Sequence, residues 1–218
     1  MEQPALPETG KDLVRIHKVI TRSINIILNN SLGLGPDDIL QDGFRLYVKS
    51  FVSVIDAHHL GEDEIAFPFW KAKISGGSFD ILSQQHRQMH PLILKMNVWH
   101  SSGIASWDPE YVAELHETTR ILKFLWVPHV QLEEREIGPQ SSDHLLTRQE
   151  SAALSGKLVA HAQQHTLPVE ITIPFVIYNL FPADRAEFTR SLPPLFDQQL
   201  ALSSWEPDWT PMIPFLLD

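Results

Sequence analysis

"VIDAHHLGEDEIAFPFW", residues 54–70, packs two histidines and three acids, Glu62, Asp63 and Glu64, into seven positions of what otherwise reads as an apolar helix. On a surface helix such groups would serve solubility. Inside a core they would need a metal or close partners, because an unpaired buried charge is costly. The choice between the two readings depends on what the other segments bring to the same place.

Four segments carry helical periodicity. "KDLVRIHKVITRSINIILNN", after a capping Thr9, has apolar residues at 13, 14, 16, 19, 20, 24, 27 and 28, and Gly33, Gly35 and Pro36 stop it. Pro36 suits a first helical turn with Asp37 and Asp38 at its positive end, and a second helix is expected from there to about Pro68. Phe44, Tyr47, Val48, Phe51, Val52 and Ile55 form its inward stripe. After "ISGGS" a third helix is expected from about Phe79 to His100, kinked or loosened at Pro91. Asp108 and Pro109 cap and open a fourth, which contains Pro128 and ends at Gly138–Pro139.

No convincing β alternation interrupts this series. The expected fold is all-α: an up-down four-helix bundle over residues 1–140, with an additional C-terminal helical extension, 141–218, packed on it. Within the extension, "TRQE" at 147–150 is a capping-box pattern for a helix to about Gln164. "LPVEITIPFVIYNLF" is β-branched enough for a strand, but its helical surroundings favour a short buried helix. Pro182 opens another helix, and the tail "SSWEPDWTPMIPFLLD" is aromatic and broken by proline.

Composition narrows the function. A formal charge of −10 argues against nucleic acid as a partner, since phosphate binding wants a basic face. The absence of cysteine excludes disulfides, iron–sulfur clusters, thiolate zinc sites and a cysteine nucleophile. "MEQPALPETGKDL" does not read as a secretory signal, and no uncharged run approaches a membrane span, so a soluble cytoplasmic protein is expected. The eleven histidines stand out, because imidazole is the commonest metal ligand.

Each expected bundle helix carries at least one of them. The first has His17, the second His58 with Glu62 four residues on, the third His86 with His90, and the fourth His129 with Glu133 and Glu134 at +4 and +5. Residues four apart share a helix face. If all four faces turn inward, the core receives five imidazoles and two carboxylates, and two divalent ions would supply the missing charge. A lone histidine is commoner as a hydrogen-bonded core residue and "HxxxE" as a surface pair, while "HxxxH" alone is balanced between surface pair and ligand pair. Four in order, one set per helix, point to a metal site.

Two positions are contested. His58 and His59 compete for one place, and His58 is preferred because it alone has a carboxylate at +4. Glu133 is preferred on the fourth helix, with Glu134 as its rival. "HAQQH", holding His161 and His165, repeats the spacing of "HRQMH" without a second carboxylate-bearing helix, and reads as surface or as support behind the ligands. His100, His116 and His144 lack a partner pattern.

His17, "HHLGED", "HRQMH" and "HVQLEE" together resemble the hemerythrin-like (HHE cation-binding) domain over about residues 10–138, and "EDEIAFP" is similar as well. The region after 140 is similar to C-terminal extensions of some fungal and bacterial members. The resemblance implies a non-heme diiron centre, oxo- or hydroxo-bridged, with five histidines and two bridging carboxylates. The expected metal ligands are then His17, His58, Glu62, His86, His90, His129 and Glu133. Two six-coordinate irons offer about twelve positions. Five histidines, two bridging carboxylates and one bridging oxygen leave about one open, which suits end-on dioxygen. Oxygen binding, sensing or storage is the leading expectation. A diiron oxygenase or oxidase acting on a small organic substrate, for instance in secondary metabolism, is the alternative, with the six tryptophans as pocket or lid material. The third is an iron or redox sensor in which metal binding orders the bundle.

Overall fold

The computed structural model describes residues 9–35, 39–101, 108–191 and 204–217. The expectations placed on residues 1–8, on Pro36, Asp37 and Asp38, on Trp107 and on the side chains of Trp99 and His100 lie outside them. All the regular elements are helical, and no strand occurs among the described residues. Nor is any helix there long and apolar enough to cross a membrane.

Helix α1 spans Thr9–Ser31 and α2 spans Gln41–Gly61. The chain then winds through one π-helical turn, Glu62–Ala66, into α3, Phe67–Lys71. Helical winding thus continues slightly past the expected end at Pro68. Helix α4, Phe79–Ser101, and α5, Pro109–Ile137, run through their internal prolines. Pro91 and Pro128 both lie on exposed faces, where water can serve the carbonyls that proline leaves unpaired. The start of α5 is as expected: the Asp108 carboxylate accepts from the Glu110 N–H at 2.9 Å.

These four helices form a ring, α1–α2–α4–α5, in which each contacts the next. Side-chain pairs fix their directions. Ser31 meets His116 while His17 meets Glu134, so α1 and α5 run antiparallel. Ser78–Glu136 and Lys95–Glu114 do the same for α4 and α5. The buried positions of α4 are Phe79, Leu82, His86, Met89, Ile93 and Met96, alternating steps of three and four. That is the seam of a helix packed at a shallow angle on its neighbours.

The remaining helices are α6, Pro139–Leu145; α7, Arg148–His165; α8, Val169–Asn179; α9, Pro182–Ser191; α10, Glu206–Trp209; and a 3₁₀ turn, Thr210–Phe215. The capping box that opens α7 forms in full: Thr147 Oγ1 accepts from the Glu150 N–H, and Glu150 accepts from the Thr147 N–H. "VEITIPFVIYN" is the short helix expected, with Phe175 and Ile177 buried.

One layer of this C-terminal part is keyed into the α1–α2 groove. Arg22 donates to the Phe215 carbonyl at 2.9 Å and to Asn179 Oδ1 at 2.5 Å, and Tyr47 donates to the same Asn179 oxygen at 2.7 Å. Burial pushes the Tyr47 phenol up to about 12, so it stays a donor. Gly43 makes the approach possible, because a Cβ there would sit 1.9 Å from the Pro211 carbonyl oxygen. A smaller apolar cluster, Ala66, Phe67, Trp70, Phe79, Leu82, Ile137 and Leu154, seals the opposite end of the ring.

Candidate metal centre

Contacts between the histidines and carboxylates bring the early parts of α1 and α4 level with the late parts of α2 and α5. His17, His86, the His58–His59 pair and His129 meet at one end of the ring, with Glu62 and Glu133. One ligand atom from each of His59, His86 and His129 lies within 4.8 Å of the other two, and the same holds among His17, His58, Glu62 and Glu133. All seven are enclosed: His129 and Glu133 are 0% exposed, and the most open, the His58 side chain, is 8% exposed.

The two groups share their carboxylates. Glu62 Oε1 lies 3.2 Å from His58 Nε2 while its Oε2 lies 3.4 Å from His86 Nε2. Glu133 Oε2 lies 3.3 Å from His17 Nε2 and 3.4 Å from His129 Nε2. Each carboxylate thus reaches a histidine of both groups.

The outer nitrogens are held by other partners. His17 Nδ1 donates to Glu134 at 2.9 Å, His86 Nδ1 to Asp63 at 3.0 Å, and His129 Nδ1 to Gln85 Oε1 at 3.0 Å. Asp63 is itself anchored by the Ser83 hydroxyl. With Nδ1 as the donor in each ring, Nε2 carries the lone pair and aims it inward.

Among the described residues most of the inward atoms make no hydrogen bond. His17 Nε2, His58 Nε2, His59 Nε2 and all four oxygens of Glu62 and Glu133 are buried without a hydrogen-bond partner. His86 Nε2 and His129 Nε2 face each other at 3.2 Å. Two lone pairs so opposed repel. Two nitrogens each about 2.1 Å from one cation, at roughly right angles, would be about 3 Å apart. Buried polar atoms are almost always satisfied, so the donor set fits cations of the imidazole- and carboxylate-binding kind.

Without a cation the groups burden one another. Burial, reinforced by neighbouring Glu133, holds the Glu62 carboxyl well above its ordinary range. Burial acts on Glu133 the same way, but His129 and His17 outweigh it and hold that carboxylate well below. Burial drives His58 and His59 well below the usual histidine value and lowers His129 too, opposed there by Glu133. His17 ends above it, since Glu133 and Glu134 overcome the effect of burial.

Six of the seven expected ligands converge here: His17, His58, Glu62, His86, His129 and Glu133. Glu134, the rival of Glu133, is one-third exposed and holds the back of His17 instead. His90 is the exception. Its side chain is 55% exposed, it lies in neither group, and its Nδ1 is 3.5 Å from Asp56. The steps of the α4 seam explain this: inward from His86 the chain presents Met89 and Ile93, so position 90 falls on the flank. The fifth imidazole is His59.

His58 and His59 do not compete, because α2 is enveloped: α1, α4, α7, α8 and the 3₁₀ turn all contact it. Adjacent residues, about 100° apart around the axis, can then both point into protein. The apolar run "FVSVIDA" just before them was the available sign of a helix buried nearly all round. The π turn carried no such sign. In it the Glu62 N–H donates to the carbonyls of both His58 and His59, and the Phe67 N–H reaches back five residues to the Glu62 carbonyl. Such turns recur where a helix must re-aim a functional side chain.

No curated protein and no solved structure matches the chain. The model of the hemerythrin HHE cation-binding domain matches residues 10–141. With that match covering more than half of its length, the chain belongs to the hemerythrin HHE cation-binding domain family.

Proposed function

We propose that this chain is a non-heme diiron protein that binds dioxygen reversibly, in an up-down four-helix bundle of about residues 1–140 that the C-terminal helices buttress. The ligands would be His59, His86 and His129 on one iron, His17 and His58 on the other, and Glu62 and Glu133 between them. The observation that carries the reading is the set of seven buried ligand atoms without a hydrogen bond, four of them oxygens of the two carboxylates that each reach histidines of both groups.

The division of histidines is unequal. Three imidazoles would hold the metal on the His59/His86/His129 side and two on the His17/His58 side, which would leave more room for a small ligand beside His17 and His58. Held by these residues, a pair of ferrous ions would supply the two electrons that dioxygen binding draws on. The protein's part is to orient and enclose. Glu134 and Asp63 fix the rings of His17 and His86, and Trp126 packs within 5.5–6.2 Å of His17, His58, His59 and His129. The Trp126 ring is held by its N–H, which donates to Thr21 at 2.8 Å. An apolar wall this close excludes water, which would otherwise promote loss of reduced oxygen species.

Enclosure favours a carrier, sensor or store over oxidation of an organic substrate. Anaerobic reduction followed by oxygen addition, watched in the visible range, tests the choice. A long-lived band that bleaches on deoxygenation is expected. Rapid, irreversible oxidation would replace the carrier with the oxidase, and fewer than about two irons per chain after reconstitution would remove the diiron centre itself.

A further inference from the structure

The second "HxxxH" of the chain, His161 and His165 on α7, gains in the folded protein what its sequence lacks. Glu64, in the π turn after α2, brings its Oε2 to 3.0 Å from His161 Nε2. The two imidazoles, one helical turn apart, are stacked with centroids 4.3 Å apart and planes at 27°. His161 is seated directly on α2, where a Cβ at Gly61 would lie 3.5 Å from its Nδ1. Among the described residues that buried Nδ1 has no partner. Nε2, which donates to Glu64 in the absence of a cation, is the nitrogen a cation can reach, the ring proton then moving to Nδ1. His165 and Glu64 are exposed, so water can complete a coordination shell.

We propose that His161, His165 and Glu64 form a second metal site, at the surface, for a divalent cation of the zinc type. Two imidazoles and one carboxylate are a donor set that zinc accepts, with water in the remaining position. Helical i,i+4 spacing lets both rings reach one point. His161 and Glu64 are already adjacent, but the three residues do not bring one ligand atom each within 4.8 Å of the others, so His165 must re-orient at the surface to complete the set. The site shares no ligand with the buried centre, and two of its three ligands lie outside the family-matched residues 10–141. Occupied, it would clamp α7 to the turn that carries Glu62.

Equilibrium dialysis of the full-length, iron-loaded protein against micromolar zinc chloride, with both metals counted per chain, tests this. The expected result is about one zinc bound with iron retained. His165→Ala and Glu64→Gln, both surface changes, should each weaken zinc binding by at least about tenfold, as losing even a supporting group of a metal site does. His90→Ala, which removes another exposed histidine, should leave it unchanged. Zinc uptake that displaces iron, that persists in His165→Ala, or that does not occur would overturn the site. Because the difference between His165→Ala and the parent is read as zinc, the outcome does not depend on what the buried centre does with oxygen.

Discussion

In the half of the ring away from the histidines, buried polar groups look after themselves. The hydroxyls of Ser23, Ser50 and Thr119 each donate to the carbonyl four residues earlier, at 2.8, 2.8 and 2.7 Å. Ser31 pairs with His116 at 2.9 Å, and Tyr47 shares Asn179 with Arg22. In the other half the same four helices bury seven ligand atoms that make no hydrogen bond among the described residues. The first half can fold on its own account. The second is complete only with cations, so folding and metal loading are coupled there and not elsewhere.

Stripping the metal should therefore produce the largest change. A ligand at a thousandfold excess over its Kd contributes about 4 kcal/mol, so chelation should lower Tm by about 8–16 °C. Calorimetry of loaded and chelated protein measures it; an unchanged Tm would remove the coupling. The pH profile of the chelated form sharpens the test. His58, His59 and His129 have lowered folded pKa values, so below about 6.5 the unfolded chain binds more protons and stability falls with falling pH. His17 is raised, so above about 6.5 the folded chain holds its extra proton and stability falls with rising pH. Glu62, raised from about 4.5, acts in the same sense from there up through its folded value. From about 4.5 to 6.5 Glu62 opposes the three histidines but is outnumbered. Stability of the chelated form should peak near pH 6.5, with slopes of about 1–2 kcal/mol per unit. A curve of the same shape in the loaded protein would show that those groups are not tied up by metal.

The apolar half should respond in the opposite way. Phe44 is fully buried, with its ring 5.3 Å from that of Phe215. Phe44→Ala should cost about 3–5 kcal/mol and leave metal content untouched. If it released metal, the two halves would be one cooperative unit rather than two.

Smaller effects come from the groups behind the ligands. Asp63→Asn and Glu134→Gln keep the shape but weaken the acceptors that orient His86 and His17. Metal affinity should fall about 10–100-fold, measured by competition with a chelator, with little change in the Tm of the chelated form. Equal losses of chelated-form stability would make both residues structural instead.

The comparison of halves also explains what could be read beforehand. The helices, their proline and glycine breaks, the capping box of α7 and six of the converging side chains follow from local spacing, which one strand of sequence contains. His59 and the π turn do not, because they depend on how completely α2 is surrounded, and α7, α8 and the 3₁₀ turn, all beyond residue 145, supply part of that surrounding. The role of Glu64 beside His161 joins residues 97 apart and has no local signature at all.

His90 shows the limit most clearly, and it gives the smallest expected effect. Spacing of four from His86 puts both residues on one face of an isolated helix. Packing against two neighbours selects a narrower seam, repeating every three and a half residues, and His90 misses it by one position. His90→Ala should change stability by no more than about 0.5 kcal/mol, as surface substitutions do, and leave the metal content of the purified protein as it was. His59→Ala, by contrast, removes one of three imidazoles from its group and should release metal. Metal analysis of the two variants side by side decides the register of α4: if His90→Ala loses metal and His59→Ala keeps it, the helix is turned by about 100° from its position here, and the "HRQMH" pair would act together as ligands.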